Sequence, residues 1–181
     1  MKRTCLIALA AMIFPMAAAA QEAKPEANPV SSAVRQSVAR FSKIMVAAVD
    51  AMPADKYEYH PTPEQMTFGH LVAHMVGSNF LLCSKISGVA APESSKVTDK
   101  DSKDKLVAGL KASFGFCTET LAKVDDSNLG ETLTLFGTRT ASRAAAMMAL
   151  TNDFADHYSA AAMYLRLNGI LPPTAQPAKK E

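Results

Sequence analysis

Residues 140–169 read TASRAAAMMALTNDFADHYSAAAMYLRLNG, the longest helical pattern in this 181-residue chain. Alanine is the strongest helix former, and its small side chain permits close packing of neighbouring helices. The stretch therefore predicts a helix from about Thr140 to Asn168. Gly169 suits the position just after the C-terminus of that helix, and Pro172 and Pro173 prevent its continuation.

One face of this helix is apolar except at Asp153 and His157, which are four residues apart. Side chains with that spacing point in the same direction from adjacent turns. The rest of the face consists of small, aliphatic and aromatic residues: Ala146, Leu150, Ala160, Tyr164 and Leu167. The two polar side chains are therefore candidates for a functional site within a helical core.

The remaining histidines add further candidate ligands. His70 and His74, again four residues apart, lie in a second predicted helix, so three histidines and one carboxylate can converge from two helices. Imidazole and carboxylate groups suit Zn, Ni, Fe or Mn. Such pairs also occur as hydrogen-bonded helix pairs or satisfied core residues, and the spacing leaves both interpretations open. His60, in a loop, is the weakest candidate.

Two of the other helices follow from apolar stripes with alternating spacings of three and four. The first runs from about Val30 to Met52, with Ser31 or Ser32 as its cap and the stripe Val34, Val38, Phe41, Met45, Ala48 and Met52. The third covers roughly Asp101 to Val124, with the stripe Val107, Leu110, Phe114, Cys117, Leu121 and Val124.

The second helix starts near Thr67, a plausible N-cap, and ends near Gly88. We expect Leu71, His74, Ser78 and Leu81 to share its face. The polar stretch 89–105 that follows is long enough to cross from one end of a bundle to the other. No strand pattern is convincing, and 133–137 reads as a short apolar turn. The prediction is an all-α four-helix bundle that is not simply up-down-up-down.

The N-terminus has the pattern of a signal peptide over residues 1–20. Lys2 and Arg3 precede an apolar run at 6–14, and Ala18–Ala20 provide small residues before Gln21. The run is shorter than the roughly 20 residues of a spanning helix, although an uncleaved anchor is the alternative. We therefore expect a periplasmic or secreted protein with no membrane span after signal cleavage.

The predicted mature chain is close to neutral. The full chain has 19 Lys plus Arg and 17 Asp plus Glu, and removal of Lys2 and Arg3 leaves 17 of each. A nucleic-acid partner would require a basic surface, so this balance argues against one. We expect residues 21–29 to form a flexible leader, 30–171 the helical bundle and 172–181 a tail.

Two cysteines, Cys83 and Cys117, remain after the predicted cleavage. In an oxidising compartment they suggest one disulfide. Both fall on apolar positions of neighbouring helices, where free thiols would also fill a core well. The pattern favours the disulfide without excluding two buried thiols.

Two separated motifs resemble those of the DinB-like proteins. The first is Tyr57-Glu58-Tyr59-His60-Pro61-Thr62-Pro63-Glu64 followed by Thr67-Phe68-Gly69-His70-Leu71-Val72-Ala73-His74. The second is Asp156-His157-Tyr158 followed by Tyr164-Leu165-Arg166-Leu167-Asn168-Gly169-Ile170-Leu171-Pro172-Pro173. The resemblance implies an up-down-down-up bundle, with a long crossover between helices two and three, that carries a divalent-metal site.

The ligands implied by the resemblance map onto His74 and His157. A third family ligand, a histidine, falls on Asp153 here, so the expected metal set is His74, Asp153 and His157. Ser159 and Ala160 replace the family's Gly-Gln. Relatives include metal-dependent thiol transferases and an isomerase that use low-molecular-weight thiols.

The expectation is an exported protein that binds Zn, Ni, Fe or Mn and acts on an unknown small-molecule substrate. A metal-dependent transferase or hydrolase is the leading hypothesis, and the sequence leaves a homodimer open as the assembly. The alternative is a non-catalytic binding or structural bundle with a degenerate metal site.

Overall fold

The computed structural model describes residues 25–93 and 96–177. Four helices form the fold: α1 (Pro29–Ala51), α2 (Phe68–Ser87), α3 (Lys103–Leu121) and α4 (Arg143–Leu167). The predicted all-α fold class is confirmed. The predicted signal peptide at 1–20 lies outside the described residues, as do the beginning of the predicted leader and the end of the predicted tail.

The helices run up, down, down and up. The start of α1 meets the region after α3, because the Arg35 guanidinium donates to the Val124 carbonyl at 2.9 Å, so α1 and α3 are antiparallel. α2 and α3 are parallel. Asn79 donates a hydrogen bond to Ser113, and Cys83 is bonded to Cys117, so both contacts join residues 34 positions apart. A constant separation between contacting residues means that the two helices run in the same direction.

α2 and α4 are antiparallel, since Tyr164 near the end of α4 donates to the Met66 carbonyl just before α2. Near the opposite end of the pair, Arg143 at the start of α4 donates to the Ile86 carbonyl near the end of α2. The predicted crossover between α2 and α3 therefore spans the length of the bundle and places α2 against both α3 and α4.

Hydroxyl side chains cap three of the helices. Thr67 Oγ1 accepts the His70 amide at 3.1 Å, as predicted, and Ser102 and Ser142 cap α3 and α4 in the same way. Gly169 has a φ of 73° just after α4, which confirms its predicted role at the helix end.

The cap of α1 differs from the prediction. Neither Ser31 nor Ser32 serves as its N-cap; the Asp126 carboxylate, 95 residues away, accepts the Val30 and Ser31 amides at 2.9 and 2.8 Å. Desolvation raises the pKa of Asp126, but the hydrogen bonds from the Ser31 and Val30 amides outweigh it and hold the pKa below its usual value. A distant carboxylate thus meets the positive end of the helix dipole.

A β-hairpin replaces the predicted apolar turn between α3 and α4. β1 (Thr132–Phe136) pairs antiparallel with β2 (Arg139–Ser142), and Thr132 lies opposite Ser142. Gly137 at the tip has a φ of 54°, a conformation that glycine adopts without strain. The strands are too short to show a strong alternation, but Leu135 is buried against the bundle.

The disulfide between Cys83 and Cys117 is present, with a Cα–Cα distance of 5.3 Å, and both residues are fully buried. The predicted stripes of α1 and α3 face the core. The predicted face of α2 is partly right: Leu71 is buried, whereas Leu81 is exposed and Ser78 is half-buried. α2 contacts two helices, and its buried surface is therefore a broad arc that includes Leu71, Val72, Met75, Val76, Phe80 and Cys83.

The first residues of the predicted tail pack against the bundle. Pro173–Ala175 form a single 3-10 turn, and the Tyr158 hydroxyl donates to Thr174 Oγ1 at 2.9 Å. The same hydroxyl accepts the Thr174 amide at 3.1 Å. Across residues 25–93 and 96–177, no helix has both the length and the apolar character required to cross a membrane.

Candidate functional site

Two imidazoles meet where α2 packs against α4. The ring centroids of His74 and His157 are 4.9 Å apart, and the rings are nearly perpendicular, at 76°. His157 is only 8% exposed, whereas His74 lies at the edge of the interface and is exposed. The antiparallel packing of these two helices therefore brings together two predicted ligands that are 83 positions apart in sequence.

Asp153 joins this pair through a hydrogen bond with His157. His157 Nδ1 lies 3.1 Å from Asp153 Oδ2, one turn earlier on α4, and both side chains are largely shielded from solvent. A carboxylate accepts rather than donates, so this contact favours the tautomer that carries its proton on Nδ1. Nε2 of His157 is then the nitrogen with a free lone pair.

His74 is held in its neutral form. Desolvation is the largest effect that lowers its pKa, followed by the charge of His157, while the Asp153 carboxylate partly opposes both. A neutral imidazole has a lone pair available for a metal ion or a proton.

The histidines line a pocket of about 460 Å³. Its walls are formed by apolar groups from α2, α4 and the preceding loop: Met66, Leu71, Ala160, Met163 and Tyr164. Glu64 and Asp156 also line it, and both are exposed. The volume falls in the range of ordinary small-molecule sites.

Tyrosines fix the loop that forms one wall of this pocket. The Tyr164 hydroxyl donates to the Met66 carbonyl at 2.7 Å, and its ring packs against Tyr59 at 6.2 Å. Desolvation, followed by Tyr59, raises the pKa of Tyr164, which keeps its phenol protonated as a donor. At the other end of the loop, the buried Tyr57 hydroxyl donates to the Val49 carbonyl at 2.9 Å.

The other two histidines lie elsewhere. His70 Nδ1 is 4.0 Å from Asp99 Oδ2 in the connection to α3, and its side chain is exposed. The expected convergence of three histidines is therefore wrong for His70, because it lies about a turn from His74 on the side of α2 that faces the crossover. His60 Nδ1 contacts the Thr62 carbonyl oxygen at 2.7 Å in the exposed loop.

Within residues 25–93 and 96–177, no group of three His, Cys, Asp or Glu side chains is arranged to hold a metal ion. Two imidazoles with suitable donor chemistry do lie together, but the third expected ligand, Asp153, is hydrogen-bonded to His157. A ligating histidine usually donates its other N–H to a carboxylate in this way. The donor chemistry thus fits a metal better as two imidazoles with a supporting carboxylate than as three direct ligands.

Sequence reasoning did not identify Glu64, Met66, Asp156 or Met163 as parts of the site. Asp156 directly precedes His157, and this adjacency was its only signal. Glu64 and Met66 belong to a loop without periodicity, and only its packing on Tyr164 brings it to the pocket.

Comparison with known proteins identifies both family and fold. The family model described as the DinB superfamily matches residues 38–152. A DinB-like protein from Bacillus cereus has a TM-score of 0.66 at 18% identity, covering 78% of this chain and 95% of its own. A DinB-like protein from Bacillus subtilis has a TM-score of 0.62 at 22% identity, covering 78% and 98%.

A mutant of the mycothiol-dependent maleylpyruvate isomerase shares the fold at a TM-score of 0.58 and 12% identity, covering 71% of this chain and 59% of its own. Identities this low establish a common fold and nothing further. Among curated proteins, no sequence is significantly similar to this chain.

Proposed function

This chain belongs to the DinB superfamily, and on that premise we propose that it binds a divalent metal ion through His74 and His157. The observation that carries the proposal is the meeting of these two imidazoles, whose ring centroids lie 4.9 Å apart, in the lining of one pocket. Neutral imidazole is a ligand for Zn, Ni, Fe and Mn alike, so the metal is not specified further.

Asp153 has a distinct part in this proposal. Its bond to Nδ1 orients the His157 ring and leaves Nε2 for the metal, as in a carboxylate–histidine–metal arrangement. The sequence predicts Asp153 as a direct ligand; here it is instead the carboxylate that supports His157.

A metal held by two imidazoles would keep open positions for water or substrate, and its chemistry would be to polarise a substrate or lower the pKa of bound water. The protein's own groups then bind a small molecule above the histidines and shield it from solvent. We propose a transferase or hydrolase reaction. The thiol-dependent isomerase with the same fold supports only the idea that such a bundle can house an enzyme.

We also propose that the protein is exported through residues 1–20. The buried Cys83–Cys117 disulfide supports this proposal, because such bonds persist mainly in oxidising compartments. Expression of the full chain, followed by N-terminal sequencing of the periplasmic fraction, tests it. Recovery of intact protein with Met1 in the cytosol would contradict export.

The metal proposal is tested by elemental analysis of the purified protein and by calorimetric titration with Zn, Ni and Mn. We expect about one metal per chain, and His74→Ala or His157→Ala should abolish binding while the helical circular-dichroism signal is retained. His60→Ala, in the exposed loop, is the matched control and should bind like wild type. Equal metal affinity in all three variants would refute the assignment of His74 and His157 as ligands.

Light scattering on the same samples tests whether the protein is a homodimer.

The rival function is a non-catalytic binding bundle with a degenerate site. The observation that favours it is the engagement of Asp153 by His157, with no three-donor cluster among the described residues. Under this hypothesis the protein is purified without metal, and Zn, Ni or Mn leaves its melting temperature unchanged.

A further inference from the structure

The pocket above His74 and His157 has a charge pattern that points to a class of ligand. Two of its exposed residues, Glu64 and Asp156, are carboxylates, and the described residues that line the pocket include no Lys or Arg. An anionic ligand would therefore meet only like charge at the mouth, whereas a cation would be attracted there.

The walls between the mouth and the histidines are apolar. Met66 and Met163 line the pocket yet are 42% and 51% exposed, and Leu71 and Ala160 continue the surface inward. Exposed methionines at the rim of a pocket provide an adaptable surface for apolar groups of varied shape. Tyr164 adds an aromatic ring, which can also attract a cation.

The pocket is also lined by the two imidazoles, of which His157 is buried and His74 is exposed. His157 is more than nine-tenths buried, lines the pocket and makes its hydrogen bond to Asp153 through Nδ1, so its other ring nitrogen is free for a ligand or a metal. A bound metal would add positive charge at the imidazoles.

We propose that the pocket takes a small organic cation: an apolar body with a positively charged group that lies between Glu64 and Asp156 at the mouth. The proposal shares the pocket with the proposed function, but the cation-binding part does not depend on a bound metal. The ligand class is a substituted amine or quaternary ammonium compound rather than a carboxylate or phosphate of the same size.

The test uses three probes of similar size: trimethyl(2-phenylethyl)ammonium, 2-phenylethanol and 3-phenylpropionate. The quaternary ammonium cannot coordinate a metal, so its binding reports the charge and the walls of the pocket alone. We expect the cation to bind more tightly than the alcohol, and the carboxylate to bind most weakly, in calorimetric titrations of the full chain treated with EDTA.

Removal of the carboxylate charges at Glu64 and Asp156 should abolish this order of affinities among the three probes. Glu64→Gln and Asp156→Asn should each weaken binding of the cation by roughly 2–5-fold, the effect of one partly exposed charge, and leave the alcohol unchanged. Glu58→Gln removes an exposed carboxylate of the same loop that does not line the pocket, and it should bind all three probes like wild type.

The same titrations on EDTA-treated and Zn-loaded wild type separate the two proposals. Cation binding by the EDTA-treated protein supports the ligand class independently of the metal. Equal binding of the cation and the carboxylate by EDTA-treated wild type, or a cation affinity unchanged in the double variant Glu64→Gln/Asp156→Asn, would overturn the inference and leave the metal proposal intact.

Discussion

The two sides of α2 have opposite characters. Toward α3, the helix presents the disulfided Cys83 and the ring of Phe80, which packs on Phe116 at 5.3 Å. Toward α4, it presents His74 beside His157, next to a pocket of about 460 Å³. One interface is covalently joined, and the other carries two titratable imidazoles.

This difference shows how a small bundle can support polar groups in its interior. Unpaired polar groups weaken packing, so an interface that carries imidazoles and a pocket gains less from burial than an apolar one. The interface of α2 with α3 supplies rigid packing and a covalent link on the opposite side of the same helix. Three sets of variants test this difference: one removes the disulfide, one changes the polar interface with α4, and one measures how closely α3 is packed.

Loss of the disulfide should cause the largest decrease in the free energy of unfolding. Cys83→Ala/Cys117→Ala releases a loop closed across 34 positions, and the chain-entropy model gives a loss of about 3–4 kcal/mol in the free energy of unfolding. Urea denaturation followed by circular dichroism measures it. Metal affinity should stay near wild type, because the histidines lie on the other side of α2, and a parallel loss of metal binding would show that the interfaces are not independent.

A change at Asp153 should have an intermediate effect, confined to the α2–α4 interface. Asp153→Asn keeps the size of the side chain but removes the charge behind His157, and outer-shell changes of this kind typically cost about 10–100-fold in metal affinity. Calorimetric titration with Zn measures the change, and urea denaturation should show little loss of stability. Complete loss of binding, as expected for His157→Ala, would instead make Asp153 a direct ligand.

Substitution of two glycines of α3, Gly109 and Gly115, by alanine should change the free energy of unfolding by small amounts of opposite sign. A Cβ at Gly109 would lie 2.9 Å from Val97 Cγ1, and an overpacked contact typically costs about 1–3 kcal/mol, more than the roughly 1 kcal/mol gained in helix propensity. Gly115 has open space at the same point, so Gly115→Ala should raise stability by about 0.5–1 kcal/mol. Thermal unfolding of both variants compares them, and equal stabilisation would show that Val97 moves aside freely.

Much of the fold could be predicted because its signals are local. Apolar spacing, alanine content and helix-end signals together identified four helices to within about three residues at each end, and Thr67 and Gly169 marked two of their boundaries correctly. The hairpin was missed because its strands have only five and four residues, too few for a two-residue period to stand out.

The candidate site was only partly predictable. The four-residue spacing of Asp153 and His157 correctly placed them side by side on one helix, as any pair of that spacing must be. The same spacing on α2 could not show that His74 would face His157 while His70 would face Asp99. That choice depends on the rotation of α2 about its own axis when it packs between two neighbours.

The sequence by itself determined the helices, two of their ends at Thr67 and Gly169, and the family through its two motifs. The parallel placement of α2 and α3 followed only from the resemblance that those motifs carry. Tertiary structure alone decided that Asp126 caps a helix 95 positions away, that Asp153 is hydrogen-bonded to His157, and that Glu64 and Asp156 line one pocket. The physical reason is range: helix periodicity and capping depend on neighbours within about one turn, whereas these contacts depend on how the packed helices and loops are oriented relative to one another.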